Sequence, residues 1–258
     1  MHFELIVFTA DPDRAAAVLA AGADAVIVDW ESKNKEERQS GADTEINHFG
    51  PGDLLAVRRS SKGHLICRVN GTHAGSRDEI ESAIANGADE IFLPMVRRVA
   101  EVEDFIAWTR GRVQASILIE TVDAVHLAPE LGRLPLARVY VGLNDLAIDI
   151  GNGNLFTAVA EGWIDRIRPH IETRFGFGGL TLPDRGSPIP CSLLMSELVR
   201  LRCDFTFLRR SFWRDAPEFA LGAAIAAIRG GLDETAALSA RELEANREFF
   251  CRLVATQS

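Results

Sequence analysis

Short apolar runs alternate along this chain with stretches whose apolar residues recur at helical spacing. Apolar runs bounded by turn formers read as buried strands, and apolar residues at i, i+3, i+4 and i+7 read as one face of a helix. On that basis strands are predicted over about 3–9, 25–30, 65–70, 90–95, 116–120, 138–143, 177–182 and 204–209, with helical stretches between them. Such alternation marks a parallel sheet whose strands are covered by helices. Eight βα units in about 230 of the 258 residues predict an α/β fold of the (β/α)8 TIM-barrel type. A doubly wound open sheet is the runner-up, but it usually has fewer strands.

A local repeat supports the barrel. "AAGADAVIVDW" (20–30) and "ANGADEIFLPM" (85–95) are near copies, 65 residues apart, which corresponds to two βα units. In each, a glycine (Gly22 or Gly87) is placed to end a helix in the left-handed conformation before a buried strand begins. Two segments exceed what a barrel needs. Residues 31–52 are polar and follow strand 2, where long loops serve as lids or binding loops. In the tail, Leu221, Ile225, Ile228 and Leu232 have helical spacing. Gly230–Gly231 are expected to break that helix, and another is expected over about 233–255, with Leu243, Phe250, Leu253 and Val254 on one face. The division expected is a catalytic barrel over 1–232 and a helical extension over 233–258 that packs on, or swaps with, a neighbouring subunit.

Composition narrows the function classes. The net charge of −9, without a basic run, argues against nucleic acid or an anionic membrane as partner. No apolar stretch approaches the roughly 20 residues of a membrane span. "MHFELIVF" lacks a basic n-region and does not read as a signal peptide, so a cytoplasmic location is expected. Cys67, Cys191, Cys203 and Cys251 have neither metal-knuckle nor redox-pair spacing, and read as small apolar residues. The only lysines are Lys33, Lys35 and Lys62. None falls at the C-terminal end of an apolar strand, where a barrel would place a Schiff-base amine. Carbonyl activation must therefore come from another group.

Barrel active sites lie at the C-terminal ends of the strands. Those ends read Asp29 and Glu31, Arg68 and Asn70, Pro94–Met95, Glu120, Asn144–Asp145, Pro183–Asp184, and Arg209–Arg210. Glu120 and Asp145 follow neighbouring strands, and neighbouring strands lie about 4.7–4.9 Å apart. Two carboxylates at that separation suit one hard divalent cation with positions left open for substrate and water. Their alternative is a pair of polar strand ends satisfied by helix N-termini, with Asp145 as a helix cap. Arg68 suits a substrate carboxylate in forked geometry, or else a salt bridge within the mouth. Asp29 is placed either in the chemistry or in holding Arg68. Arg209 is a candidate for a second substrate anion, with pairing to Asp184 or Asp215 as the alternative. His48 and His73 are weaker candidates, and His126 reads as structural. "GFGG" (176–179) reads as close strand packing rather than a phosphate cradle.

Taken together, "GADAVIVDWE" (22–31), "RVNG" (68–71), "GADEIFLPMV" (87–96), "ILIET" (117–121) and "GLNDLAIDIG" (142–151) resemble the HpcH/HpaI aldolase and citrate lyase beta-subunit family of the phosphoenolpyruvate/pyruvate barrel superfamily. The resemblance covers about 20–155 and is weak over the last 100 residues. It implies a Mg2+- or Mn2+-dependent lyase that makes or breaks a C–C bond through a pyruvate-like enolate. Glu120 and Asp145 would hold the metal, Arg68 and Asn70 would face the substrate, and Glu31 would orient water. The implied substrates are a 2-oxo acid and an aldehyde, in a homo-trimer or homo-hexamer. Where the family's aldolases carry a histidine base after the acid of strand 2, this chain has Ser32. Metal-bound water, Glu31, Asp29, His48 or a group from another subunit would have to shuttle the proton. A malyl- or citramalyl-CoA-type lyase or thioesterase, and a non-catalytic barrel that keeps the metal pocket, are the alternatives.

Overall fold

The computed structural model describes residues 2–32 and 49–256. Eight parallel strands close into a barrel in sequence order, with the last paired to the first. They are β1 (Glu4–Phe8), β2 (Ala25–Asp29), β3 (His64–Arg68), β4 (Glu90–Leu93), β5 (Gln114–Ile119), β6 (Arg138–Val141), β7 (Arg174–Phe177) and β8 (Phe205–Leu208). The helices are α1 (Pro12–Ala20), α2 (Pro51–Ser60), α3 (Ser76–Ala85), α4 (Val99–Thr109), α5 (Val122–His126), α6 (Ala128–Leu131), α7 (Leu143–Ile150), α8 (Thr157–Ala160), α9 (Trp163–Ile167), α10 (Cys191–Arg200), α11 (Ser211–Asp215), α12 (Leu221–Ala236) and α13 (Ala240–Ala255). The chain is thus a (β/α)8 TIM barrel with C-terminal helices.

Alternate strand residues separate two apolar layers. One row points outward and packs beneath the helices, in a cluster that includes Leu5, Val26, Cys67, Ile117, Val139 and Phe175. The other row fills the lumen with Ile6, Ile27, Ile66, Phe92, Leu118, Tyr140, Phe205 and Phe207. Tyr140 stacks on Phe207 with ring centroids 3.8 Å apart, and Phe8 and Phe92 meet the same ring edge-on at 5.1 and 5.7 Å. This aromatic layer floors the C-terminal mouth. At the opposite end of the barrel Arg138 is paired with the buried Glu90 and with Glu4, while His64 and Ser116 also contact Glu90.

The repeat behaves as predicted: Gly22 and Gly87 follow their helices with φ of +103° and +94°. β7 differs from the expectation. It ends at Phe177, because Gly178 turns the chain with φ of +75°, and beyond it Leu180 keeps only an isolated bridge to Leu208. Pro183 and Asp184 therefore lie in a turn rather than at a strand end. The tail also differs. α12 runs straight through Gly230 and Gly231. Gly231 is there for proximity, since a Cβ would sit 3.0 Å from Pro183 and 3.1 Å from the Met195 sulfur. The break comes at Ala237–Ser239, where Ser239 and Glu242 form a capping box that starts α13.

α13 lies on its own barrel. Phe250 and Val254 are buried, Asn246 donates to Ser196 Oγ at 2.9 Å, and Arg247 pairs with Glu197 at 2.9 Å. Among the described residues no helix is long and apolar enough to cross a membrane.

Candidate active site at the barrel mouth

The strand register brings the β2 and β3 ends together. Asp29 and Arg68 are directly paired positions across β2 and β3. Their side chains form a fork, Arg68 Nε donating to Asp29 Oδ1 at 2.8 Å and NH2 to Oδ2 at 2.7 Å. Asp29 Oδ1 also accepts the Glu31 N–H at 3.1 Å, and Arg68 NH1 lies 3.3 Å from Glu31 Oε2. Burial works against the Arg68 charge, but Asp29 and Glu31 outweigh it and hold the guanidinium firmly protonated. The Arg68 guanidinium also lies 5.3 Å from the Phe8 ring centre, over the aromatic floor.

Asn70 is two residues beyond β3, and its amide is committed to the chain. Oδ1 accepts the Ser32 N–H at 3.0 Å, while Nδ2 donates to Trp30 O at 3.3 Å and Glu79 Oε1 at 2.6 Å. It thus grips the backbone on both sides of Glu31. His73 reaches the other oxygen of Glu79 at 3.1 Å and accepts the Gly75 N–H on Nδ1, which places its proton on Nε2. That makes His73 part of the support for Asn70. His48, Lys33 and Lys35, with most of the predicted binding loop, lie outside the described residues.

The second half of the mouth comes from β4, β5 and β6. Ile119 and Val141 are paired positions, so Glu120 comes opposite Gly142. A Cβ at Gly142 would lie 2.5 Å from Glu120 Oε2, so the carboxylate can occupy this place only because residue 142 has no side chain. Met95 adopts φ of +55°, uncommon for a residue other than glycine, and its N–H donates to Glu120 Oε1 at 2.8 Å. Asp145 sits in the first turn of α7, three residues past the Gly142 cap. It is not the cap itself, and it is buried. Outside this pair, Arg97 bridges Asp123 and Asp149, and Asp149 accepts the Val122 N–H at 2.7 Å. That clamp ties the loop after Met95 to the start of α5, which follows Glu120, and to α7, which carries Asp145.

The charges at the mouth are unbalanced. Asp29, Glu31, Glu120 and Asp145 are all buried, and Arg68 is their cationic neighbour. Burial first, and then the charges of Glu31 and Asp145, push the Glu120 carboxyl up to about 8, against the opposing pull of Arg68 and the Met95 N–H. A divalent cation would relieve this crowding, so the residues present fit one. Among the described residues no group of three or more His, Cys, Asp or Glu is gathered at metal-holding spacing. A cation here would be held by two carboxylates and would complete its shell from substrate and water.

Arg209 follows β8 and is half-buried. Its Nε donates to Gly179 O at 2.6 Å, and its guanidinium lies 5.5 Å from the Phe156 ring centre. Asp184 and Asp215, the two acids that could have paired with it, are engaged elsewhere. Asp184 is 3.7 Å from Arg185, and Asp215 accepts from Thr181 Oγ1 at 2.7 Å and from Arg214 Nε at 3.3 Å. The four cysteines are free thiols; Cys67, Cys191 and Cys203 are buried and Cys251 is partly so.

Fold and site together define a (β/α)8 barrel with an acid-rich mouth organised around one arginine. No protein-family profile and no curated protein sequence matches the chain. Solved structures do. The chain is similar to citrate synthase SbnG at 17% identity and a TM-score of 0.56, over 90% of this chain and 95% of that one. RipC from Yersinia pestis matches at 16% identity and 0.56, over 93% and 98%. Tryptophan synthase from M. tuberculosis, in its aminoacrylate-bound form, matches at 13% and 0.60, over 90% and 94%. At these identities the likeness establishes the barrel fold alone.

Proposed function

We propose that this protein is a divalent-metal-dependent C–C lyase of the class II pyruvate-aldolase type, acting on a hydroxylated 2-oxo acid through an enolate. The observation that carries this reading is the convergence of Glu120 and Asp145 beside the Asp29–Arg68–Glu31 cluster at the barrel mouth. Glu120 and Asp145 would hold a divalent cation, Mg2+ or Mn2+, which when bound would supply a Lewis acid for a 2-oxo acid. Arg68 adds a fixed positive charge that favours an enolate over the neutral ketone. Asp29 holds that guanidinium in place, so no reorganisation is needed as charge develops. Asn70 acts as a positioning residue, because its amide fixes the backbone around Glu31. In this reading Glu31, buried beside Arg68, orients a water or takes a proton, since Ser32 cannot do so unaided.

The test is Mg2+-dependent exchange of the pyruvate C3 protons with solvent deuterium, followed by NMR, together with calorimetric titration of Mg2+. The wild-type protein should show both. Glu120→Gln and Asp145→Asn should each lower Mg2+ affinity by about tenfold or more and abolish exchange. Absence of Mg2+-dependent exchange in the wild type would overturn the aldolase reading.

A further inference from the structure

The cation at the end of β8 is not absorbed by the acidic mouth. Arg209 is held at Nε by Gly179 O and lies over Phe156. A Cβ on Gly179 would come 3.0 Å from Arg209 Cγ, so the missing side chain at 179 gives the arginine its path. With its Nε edge anchored, the NH1 and NH2 groups remain for a ligand, and among the described residues Arg209 forms no ion pair. Burial pulls the Arg209 pKa down, and the opposing contributions of Cys191, Tyr140 and Asp215 do not cancel it. Its charge is therefore under-compensated. Leaving a half-buried guanidinium without an anion costs free energy that a ligand anion would recover.

Arg209 and Arg68 both act electrostatically on the Tyr140 phenol, whose ring stacks on Phe207 in the barrel lumen. A surface cleft lined in part by Asn152, Asn154, Phe156 and Pro188 shares Phe156 with the Arg209 guanidinium.

We propose that Arg209 binds a carboxylate or phosphate on the acceptor half of the substrate, so that the compound cleaved is a dianion anchored at Arg68 and the cation site by one end and at Arg209 by the other. This rests on the aldolase reading, and it makes the released aldehyde an anionic one. A guanidinium with a free edge matches the oxygens of either group in paired hydrogen bonds.

Calorimetry in Mg2+ with wild type, Arg209→Met and Arg209→Lys tests it. Pyruvate and 2-oxobutyrate are the monoanions, 2-oxoglutarate is the dicarboxylate, and phosphonopyruvate is the phosphonate. The wild type should bind a dianion about tenfold or more tighter than 2-oxobutyrate. Arg209→Met should erase that preference and leave pyruvate affinity unchanged. Arg209→Lys, which keeps a charge without the fork, should restore part of it and decides the matter should Arg209→Met not fold. The better of the two dianions tells carboxylate from phosphate. No preference in the wild type, or an unaltered preference in the variants, overturns the proposal. If pyruvate itself does not bind, the aldolase reading fails. Arg209 is then judged by inorganic phosphate and malonate without metal: binding lost on Arg209→Met supports an anion site, and absent or unaltered binding overturns it.

Discussion

At the scale of single residues, the mouth depends on one missing side chain and one raised carboxyl. Gly142→Ala would drive a methyl into the Glu120 carboxylate. Mg2+ affinity should fall about tenfold or more by calorimetry, while the circular-dichroism spectrum stays that of the barrel. Glu120 also predicts a pH dependence. Its folded-state pKa is raised from the ordinary 4.5 to about 8, so across that window the folded protein binds more protons than the unfolded one. Metal-free stability attributable to this group should therefore fall as pH rises from 4.5 to about 8. Cation binding requires the deprotonated carboxylate, so Mg2+ should raise the melting temperature more at pH 8.5 than at pH 6, taking the pKa of about 8 as the divide. Equal Mg2+ stabilisation at the two pH values would show that Glu120 is not a ligand.

At the scale of elements, the strand ends were legible and the segments beyond them less so. Asp29, Arg68 and Glu120 could be placed from sequence because apolar runs mark strand ends, and parallel register sets neighbours side by side. Asp145 looked like part of a strand end because "VYVGLND" gives no break in hydropathy; Gly142 in fact caps a helix that carries it. The end of β7 was misplaced because "LTL" after Gly178–Gly179 has strand character, while the backbone turn at Gly178 does not show in hydropathy. The C-terminal helix was foreseen, but its start was hidden. Gly230–Gly231 suggested a break, although the "SARE" capping box at 239–242 was the true signal. α13 contributes more than a covering. Phe250 packs edge-on against Phe156 at 6.0 Å, and Phe156 in turn lies under Arg209. Phe250→Ala should cost about 3–5 kcal/mol in chemical denaturation. It should also weaken the binding of dianions more than that of pyruvate.

At the scale of the whole molecule, the barrel separates a stabilising ion-pair network at one end from the proposed active site at the other. The N-terminal end is closed by Glu90, Arg138, Glu4 and His64, with Glu90 and Arg138 buried. Burial alone would raise the Glu90 carboxyl, but the His64 hydrogen bond, the Arg138 charge and the Ser116 hydroxyl outweigh it and hold it below the usual range. Arg138→Met leaves that carboxylate buried without its main cation. It should cost about 3–5 kcal/mol in urea unfolding with Mg2+ affinity unchanged, and a loss of both would contradict this separation. Assembly as a homo-trimer or homo-hexamer is a further proposal. Phe219 is 94% exposed on the segment after α11, and a partner subunit would cover it. Light scattering should show an oligomer that Phe219→Glu weakens, and a monomeric wild type would refute it.

The sequence by itself determined the barrel, because eight buried strands alternating with helices leave few other ways to cover both faces of a parallel sheet. It also placed an acidic pair and an arginine at the C-terminal mouth of the barrel, since those positions follow from where each apolar run stops. The tertiary structure decided how these charges are shared. Asp29 binds Arg68, Asn70 grips the chain around Glu31, Met95 and Gly142 set the Glu120 carboxylate, and Arg209 keeps an unclaimed edge. Hydrogen bonds between residues tens of positions apart depend on register and side-chain direction, which hydrophobic periodicity does not encode.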